Sequence, residues 1–280
     1  MSAGVQKLPR IGLALGGGGA KGLAHIVALE AFDQAGIRPV AIAGTSIGAI
    51  IGGAYAAGYS AKAIRDHALR TFRDRADVMT KLFRARAGAF SDIFSGALGQ
   101  AVQMDGTTLL NEFWLPSMPD RFADLRLPFV TVTTDFYARS EAALSEGPLR
   151  LAVAASMAVP GLVKPVEIAG RLHIDGAVSN PLPFDRLPEA CDLIIAVDVA
   201  GGPEAAEATR QPSTMEATLG AAQIMQLAIL EAKLRTTELN VQVIRPRVAG
   251  FGALDFFSAK QILQAAEPMR AQVAELIAAA

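Results

Sequence analysis

Short apolar runs alternate with longer segments of small and apolar residues along the first part of the chain. Residues 11–15 and 40–43 have the length and composition of buried strands. Residues 20–35 and 47–57 follow these strands, and we predict that both segments are helices. Each is followed by a glycine, which commonly ends a helix. Strands that are apolar on both faces and alternate with helices are typical of a mainly parallel sheet covered on both sides.

The same alternation predicts further elements in the rest of the chain. Strands are expected at residues 129–134, 141–144, 166–168, 172–174, 192–199 and 241–244. Helices are expected from an N-cap at Ser60 to residue 71, and at residues 149–155, 214–239 and 258–279. No repeat and no domain boundary interrupts this order, so we expect residues 1–280 to form a single α/β domain.

Residues 73–104 break the alternation. The segment is rich in Arg and Lys, and large apolar residues lie between them: Leu82, Phe83, Phe90, Ile93 and Phe94. Three interpretations remain open: a solvated helix pair, a lid over an active site, or a flap that touches a membrane. We therefore treat residues 73–104 as an insertion within the domain that is a candidate lid or membrane-facing element.

Composition excludes several classes of protein. The chain of 280 residues is 51% hydrophobic, which is ample for a core, and its net charge of −1 gives no electrostatic support for nucleic-acid binding. The one cysteine, Cys191, cannot form an internal disulfide, which fits a reducing compartment. The first ten residues lack the apolar segment of a signal peptide. We expect a cytoplasmic protein whose only membrane contact is peripheral, at the inner face.

An uncharged stretch at residues 41–58 is roughly long enough to span a membrane. It is rich in glycine and lacks charged flanks, and we interpret it as a buried strand, turn and helix. That turn is the sequence Gly44-Thr45-Ser46-Ile47-Gly48, a G-x-S-x-G. Such a turn between strand and helix lifts a serine hydroxyl out of the fold, and its glycines permit the sharp reversal.

A second glycine motif precedes this one, Gly16-Gly17-Gly18-Gly19-Ala20-Lys21-Gly22. A glycine run at the start of a helix presents free backbone N–H groups, which bind anions and also the oxyanion that forms when serine attacks an ester. The two motifs together predict a nucleophile and an oxyanion cradle at the ends of adjacent strands.

Nucleotide-binding interpretations of the glycine run fail on its surroundings. The spacing Gly17-x-Gly19-x-x-Gly22 matches a dinucleotide fingerprint, which needs an acidic residue at the end of the next strand. That strand ends in Ala43-Gly44-Thr45-Ser46 instead, and a phosphate-binding loop would need Gly-Lys rather than Lys21-Gly22. No His/Cys/carboxylate cluster has metal-ligand spacing either, so we expect neither a cofactor nor a metal.

The residue that would activate Ser46 is less obvious. A hydrolase triad in the order serine, acid, histidine is poorly supported, because the three histidines, His25, His67 and His173, all precede the best acid. That acid is Asp175, at the end of a short strand in Ile174-Asp175-Gly176-Ala177, although Asp-Gly alone is also an ordinary turn signal. We expect His25 to pack or cap its helix and His67 to be solvated. His173 shares a strand face with Asp175. It could therefore support Asp175, replace it as the base, or only pack within the strand.

The glycine-rich loop, then G-T-S-I-G, then D-G-A, in this order, resembles the patatin-like phospholipase family. The resemblance covers nearly the whole chain, and residues 155–161 and 175–183 also look like bacterial members. It implies a three-layer α/β/α patatin-like fold with a mainly parallel central sheet, and a Ser-Asp dyad without catalytic histidine. By the resemblance, Ser46 is the nucleophile and Asp175 the proton acceptor.

The resemblance also implies roles for the residues around this pair. The backbone N–H groups of Gly17, Gly18 and Gly19 would form the oxyanion hole, with Ile47 as a candidate for a further N–H. Lys21 holds a position that is often basic in the family, where it would hold the loop, attract a phosphate head group, or simply lie on the surface. The remaining motif positions are Gly22, Gly44, Gly48, Gly176 and Ala177.

The implied function is a serine acyl hydrolase that cleaves fatty-acyl esters, of the phospholipase A or lysophospholipase type. Its expected partner is a fatty-acyl ester or phospholipid substrate; no protein partner is indicated. Two alternatives stay open: a non-catalytic lipid- or partner-binding adaptor on the same fold, and a soluble thioesterase or carboxylesterase. The intact Ser46, Asp175 and glycine loop argue against the adaptor.

Overall fold

The computed structural model describes residues 9–87, 103–202 and 211–280. The strands are β1 (Ile11–Leu15), β2 (Ala41–Thr45), β3 (Phe129–Asp135), β4 (Ser140–Leu144), β5 (Val166–Ile168), β6 (Arg171–Asp175), β7 (Leu193–Val197) and β8 (Val241–Ile244). The α-helices are α1 (His25–Ala35), α2 (Ile47–Ala56), α3 (Ala61–Thr71), α4 (Arg75–Ala87), α5 (Gly106–Phe113), α6 (Leu149–Ser156), α7 (Thr214–Thr236), α8 (Ala259–Ala266) and α9 (Met269–Ala279).

One sheet contains all of these strands, in the order β5-β6-β3-β2-β1-β7-β8 with β4 also paired to β3. The pairs among β3, β2, β1, β7 and β8 are parallel, whereas β4, β5 and β6 pair antiparallel. The carboxyl ends of the parallel strands therefore meet at one edge of the sheet, where α/β proteins place their sites.

Two strands share one side of β3. β2 pairs with residues 129–132 of β3, and β6 pairs with residues 133–135. β4 pairs with residues 131–135, which overlaps both, so it occupies the opposite side. The end of β2 thus meets the end of β6 head-on, with Thr45 opposite Val132 and Asp175 opposite Thr133.

Alternate residues of the central strands face two different layers. Leu13, Leu15 and Ile195 belong to a large core that includes residues of α1, α2, α3, α8 and α9. Ala14 and Ala196 belong to a smaller core on the other face, which is covered by α7 and the turn around Phe184. The sheet is therefore buried on both faces between helical layers, and the prediction of an α/β fold with a mainly parallel sheet is confirmed.

The predicted elements differ from the structure mainly at their ends. The segment after the glycine run starts as a 3-10 turn, Gly19–Ala24, before α1 begins. The prediction of one helix at residues 258–279 is wrong, because the segment forms two helices, α8 and α9, with Pro268 between them. The backbone nitrogen of proline carries no hydrogen, so it cannot donate the hydrogen bond that would continue the helix. Ser60 caps α3 as predicted, because its hydroxyl accepts the N–H of Ala63.

The insertion at residues 73–104 begins with α4 and ends at the strand-like bridge of Met104 to Val163. Residues 88–102, including Phe90, Ile93 and Phe94, lie outside the described residues. In the described parts of the chain, no helix combines the length and the apolar character that crossing a membrane requires.

Candidate active site

Ser46 stands on a sharp turn between β2 and α2. Its backbone has φ 55° and ψ −121°, a conformation that residues other than glycine rarely adopt. A Cβ added to Gly44 would lie 2.5 Å from the carbonyl oxygen of Gly48, and one added to Gly48 would overlap the carbonyl of Leu15. The G-x-S-x-G segment therefore forms the tight strand-to-helix turn that the sequence predicts.

The hydroxyl of Ser46 donates a hydrogen bond of 2.7 Å to Oδ2 of Asp175. The sheet explains the contact, because Ser46 follows the end of β2 and Asp175 ends β6, where the two strands meet beside β3. Both side chains are buried, with exposed fractions of 7% for Ser46 and 4% for Asp175. The structure thus brings together the two residues that the sequence singles out as nucleophile and base.

The Asp175 carboxyl lies in a dry environment with few partners. Its Oδ1 accepts the N–H of Ala177 at 2.8 Å, which fixes the carboxylate at the start of a short 3-10 turn. Burial raises the pKa of Asp175 to about 6, although the hydrogen bonds from Ala177 and Ser46 act in the opposite direction. Gly176 is needed beside it, because a Cβ there would overlap the carbonyl of Val132.

The histidines do not contact this pair. Nδ1 of His173 lies 2.8 Å from the hydroxyl of Thr133, and no hydrogen bond to Asp175 is found for it among the described residues. His25 is fully buried, and its Nε2–H donates to the carbonyl oxygen of Gly16 at 2.8 Å. Burial lowers the pKa of His25 to about 4, so it holds the glycine loop as a neutral ring. The packing role expected for His25 is confirmed.

The glycine loop lies against the nucleophile. A Cβ on Gly17 would lie 3.5 Å from that of Ser46 and 3.0 Å from that of Ala177. The N–H of Gly17 donates to the carbonyl oxygen of Pro181 at 3.0 Å, so this amide is already occupied. For the amides of Gly18 and Gly19, the described residues supply no acceptor.

Further contacts fix the loop against α2 and the residues after β7. A Cβ on Gly22 would overlap the side chain of Ile47, which shows how closely the loop packs on α2. Ile47 is the first residue of α2, so its own N–H has no acceptor within the helix. Lys21 is 2% exposed, and its ammonium group donates to the carbonyl oxygen of Ala200. Lys21 therefore holds the loop, and its placement on the surface is excluded.

A cavity of about 760 Å³ opens beside Ser46. Gly19 and Ile47 line it next to the nucleophile, and residues of α2, α3, α4 and α5 form its walls. Among the described residues, the only polar side chains in its lining are Ser46, His67, Thr71 and Thr80. The expectation that His67 is solvated is wrong: it faces the cavity, and its Nε2–H donates to the carbonyl oxygen of Phe113 at 2.9 Å.

The sequence assigned no role to the segment at residues 253–257, which forms another part of the cavity wall. Ala253, Leu254, Phe256 and Phe257 line the cavity, and the carbonyl of Ala253 accepts the N–H of Ala20 in the glycine loop. A cluster of large apolar residues in a segment without helix or strand periodicity was the only available signal. Leu254 is 51% exposed, and Met79 of α4, which also lines the cavity, is 58% exposed. Both side chains thus line the cavity and are exposed to solvent, and we call this pair the apolar rim.

Comparisons with known proteins show which family this chain is similar to. The family model described as patatin-like phospholipase matches residues 13–188, a range that includes the glycine loop, Ser46 and Asp175. An uncharacterized NTE family protein of Mycobacterium tuberculosis is 33% identical over 200 residues, which cover 69% of this chain and 50% of that protein. Human patatin-like phospholipase domain-containing protein 6 is 32% identical over 197 residues, covering 69% of this chain and 14% of that protein.

The chain thus spans half or less of the length of these two relatives. Among solved structures, VipD from Legionella pneumophila has a TM-score of 0.48 and 12% sequence identity, over 95% of this chain and 66% of that one.

Proposed function

This chain belongs to the patatin-like phospholipase family, and we propose that it is a serine acyl hydrolase that cleaves fatty-acyl esters of the phospholipase A or lysophospholipase type. The observation that carries the proposal is the 2.7 Å hydrogen bond from Ser46 to Asp175 beside an apolar cavity of about 760 Å³. That volume falls in the range of about 300–1,000 Å³ that is typical of ligand pockets.

In the proposed acylation step, Asp175 accepts the hydroxyl proton of Ser46 while Oγ attacks the ester carbonyl. The carbonyl oxygen becomes an oxyanion. Its candidate donors are the amides of Gly18 and Gly19, which have no acceptor among the described residues, and the amide of Ile47. The carbon–oxygen bond of the ester then breaks, and the alcohol or lysolipid leaves with the proton held by Asp175. The amide of Gly17 is not part of the proposed oxyanion hole, because it already donates a hydrogen bond to the carbonyl oxygen of Pro181.

Deacylation follows the same steps as acylation, with water as the nucleophile. Asp175 accepts a proton from water, the hydroxide attacks the acyl-Ser46 ester, and Ser46 regains the proton as the fatty acid departs. A carboxyl with a pKa of about 6 is ionised at neutral pH and is a stronger base than an ordinary aspartate. His173 has no part in either step, since its ring is hydrogen-bonded to the hydroxyl of Thr133.

The acyl chain is proposed to lie in the cavity, with its carbonyl at Ser46. Helix α4, which belongs to the insertion at residues 73–104, would then act as a wall or lid of this pocket, because Val78, Met79, Thr80 and Leu82 line it. The exposed rim of Met79 and Leu254 would provide peripheral contact with the lipid surface from which the substrate enters.

A substrate screen tests the proposal. Purified protein is assayed on p-nitrophenyl butyrate and palmitate, on a diacyl phospholipid and on a lysophospholipid. Ser46→Ala serves as the blank, and Ser145→Ala, which changes an exposed serine, is the matched control. We expect hydrolysis of long-chain and phospholipid esters by wild type and Ser145→Ala, and none by Ser46→Ala. Hydrolysis of butyrate alone would favour the soluble carboxylesterase, and activity that survives in Ser46→Ala would overturn the assignment.

A further inference from the structure

The hydroxyl of Ser156 links the nucleophile turn to the central sheet. Its Oγ accepts the backbone N–H of Ser46 at 2.9 Å and donates to the carbonyl oxygen of Val132 at 2.6 Å. Ser156 ends α6 and is fully buried, with 0% of its surface exposed. One side chain therefore uses both its donor and an acceptor position to join Ser46 to β3.

The same short segment also holds the backbone of the base. The carbonyl oxygen of Ala158, two residues further, accepts the N–H of Asp175 at 2.9 Å. The carbonyl of Val132, to which Ser156 donates, also lies close to Gly176, where an added Cβ would overlap it. Residues 156–158 thus contact the amides of both Ser46 and Asp175, which come from distant parts of the chain.

The turn at Ser46 needs such support. With φ 55° and ψ −121°, its backbone has a strained conformation that serine adopts only when surrounding contacts hold it there. The N–H of Ser46 donates to the hydroxyl of Ser156 at 2.9 Å. Without that acceptor, a buried N–H would lack a hydrogen bond, and rotation of the turn towards another partner would carry the hydroxyl away from Asp175.

We propose that Ser156 is a positioning residue for the hydrolysis: it fixes the backbone of Ser46 so that the hydroxyl faces Asp175. This inference rests on the proposed function of the Ser46–Asp175 pair and extends it to a third residue. Ser156 does not touch the substrate or exchange a proton with it. It acts through the 2.9 Å bond to the Ser46 amide.

Removing the hydroxyl should therefore change turnover more than binding. A displacement of reacting groups by about 1 Å can reduce a rate by about 10²-fold, so we expect Ser156→Ala to lower kcat by about 10- to 100-fold. KM should change little, because the cavity lining does not include Ser156. The hydrogen bond from Ser46 lowers the pKa of Asp175, so its loss should also shift the acid limb of kcat/KM to higher pH.

The test compares wild type, Ser156→Ala, Ser156→Cys and Thr131→Val by kcat, KM and pH profile on p-nitrophenyl palmitate. Active sites are counted with a fluorophosphonate, so that unfolded protein does not enter the rates. Thr131→Val is the matched control, because Thr131 is fully buried on β3 and its hydroxyl has no partner among the described residues. We expect it to retain wild-type kcat and pH profile.

Ser156→Cys keeps the shape and replaces the hydroxyl by a weaker donor and acceptor, so its kcat should lie between those of wild type and alanine. If Ser156→Ala does not fold, the cysteine variant decides the question. A per-site kcat within twofold of wild type and an unshifted acid limb, while Ser46→Ala is inactive, would overturn the role of Ser156 alone. An inactive wild type, or activity in Ser46→Ala, would overturn the proposed function and this inference with it.

Discussion

Ser46 and Asp175 are 129 residues apart in the sequence, yet the hydroxyl of one donates directly to the carboxylate of the other. Their meeting depends on β3, whose consecutive residues Val132 and Thr133 pair with Thr45 and Asp175. The strand that precedes the nucleophile and the strand that carries the base therefore end against each other.

Gly18→Ala should lower kcat strongly. A Cβ at this position would lie 2.8 Å from the carbonyl oxygen of Val199, so the loop must shift and its amides must turn. Loss of one oxyanion donor typically costs about 10²- to 10³-fold in kcat, and KM should change less. The matched control is Gly250→Ala, since a Cβ there meets nothing within 4 Å. Near-normal turnover in Gly18→Ala would mean that the glycine run serves only as the entry to a helical turn.

Asp175→Asn should gain stability relative to wild type as the pH rises. The pKa of Asp175 is 3.8 in the unfolded chain and about 6 in the folded one, so the folded state holds its proton more tightly. The wild type therefore loses up to about 3 kcal/mol of unfolding free energy between these pH values, a loss that asparagine avoids.

Denaturant unfolding of both proteins at pH 4 and pH 8 measures this effect. Other titrating groups cancel when the two proteins are compared at the same pH. The advantage of Asp175→Asn should be larger at pH 8 than at pH 4. An equal difference at both pH values would show that the carboxyl of Asp175 is not desolvated in the folded protein.

Ala54→Leu should shift the enzyme towards short acyl chains. Ala54 lines the cavity seven residues after Ile47 on the same helix, which places it about 10 Å from the nucleophile end along the helix axis. A larger side chain there would fill the depth of the pocket and leave its mouth open. The ratio of kcat/KM for p-nitrophenyl palmitate to that for butyrate should fall, with butyrate as the internal control. An unchanged ratio would place the acyl chain elsewhere.

The exposed rim should anchor the protein on lipid. Replacing Met79 and Leu254 together by serine should reduce flotation with anionic vesicles, since these side chains are the exposed apolar part of the cavity lining. The control replaces Ile224 and Met225 by serine, which are 59% and 61% exposed on α7 and do not line the cavity. If both double variants lose flotation equally, or if neither does, the rim has no specific role in membrane contact.

The sequence predicts best what local chemistry determines. The turn at Ser46 follows from Gly44 and Gly48, whose positions tolerate no side chain, and the cap at Ser60 follows from its hydroxyl. The residues alone made Asp175 only the best candidate for the acid that activates Ser46, and the family resemblance was needed to assign the pair. No local pattern shows that β2 and β6 share one side of β3.

The misjudged residues have a common physical reason. His67 is polar, and polar side chains are usually solvated, but in the structure it faces the cavity. For Lys21 the sequence left three roles open, and the contact with Ala200 supports the one in which it holds the loop. The amide of Gly17 was predicted to be an oxyanion donor, but in the structure it donates to the carbonyl oxygen of Pro181. Such contacts join segments far apart in the chain and leave no periodic signal.

The rate of covalent labelling by a fluorophosphonate tests the central claim most directly. Intact-mass measurement follows the modification of wild type, Asp175→Asn and His173→Phe, and peptide mapping identifies the labelled serine. The account predicts one label on the wild type, at Ser46, and a rate at least about 10²-fold lower in Asp175→Asn, because the general base is lost. His173→Phe should be labelled within a few-fold of the wild-type rate. If His173→Phe resists the label while Asp175→Asn accepts it, the base is the histidine and the Ser46–Asp175 dyad is wrong.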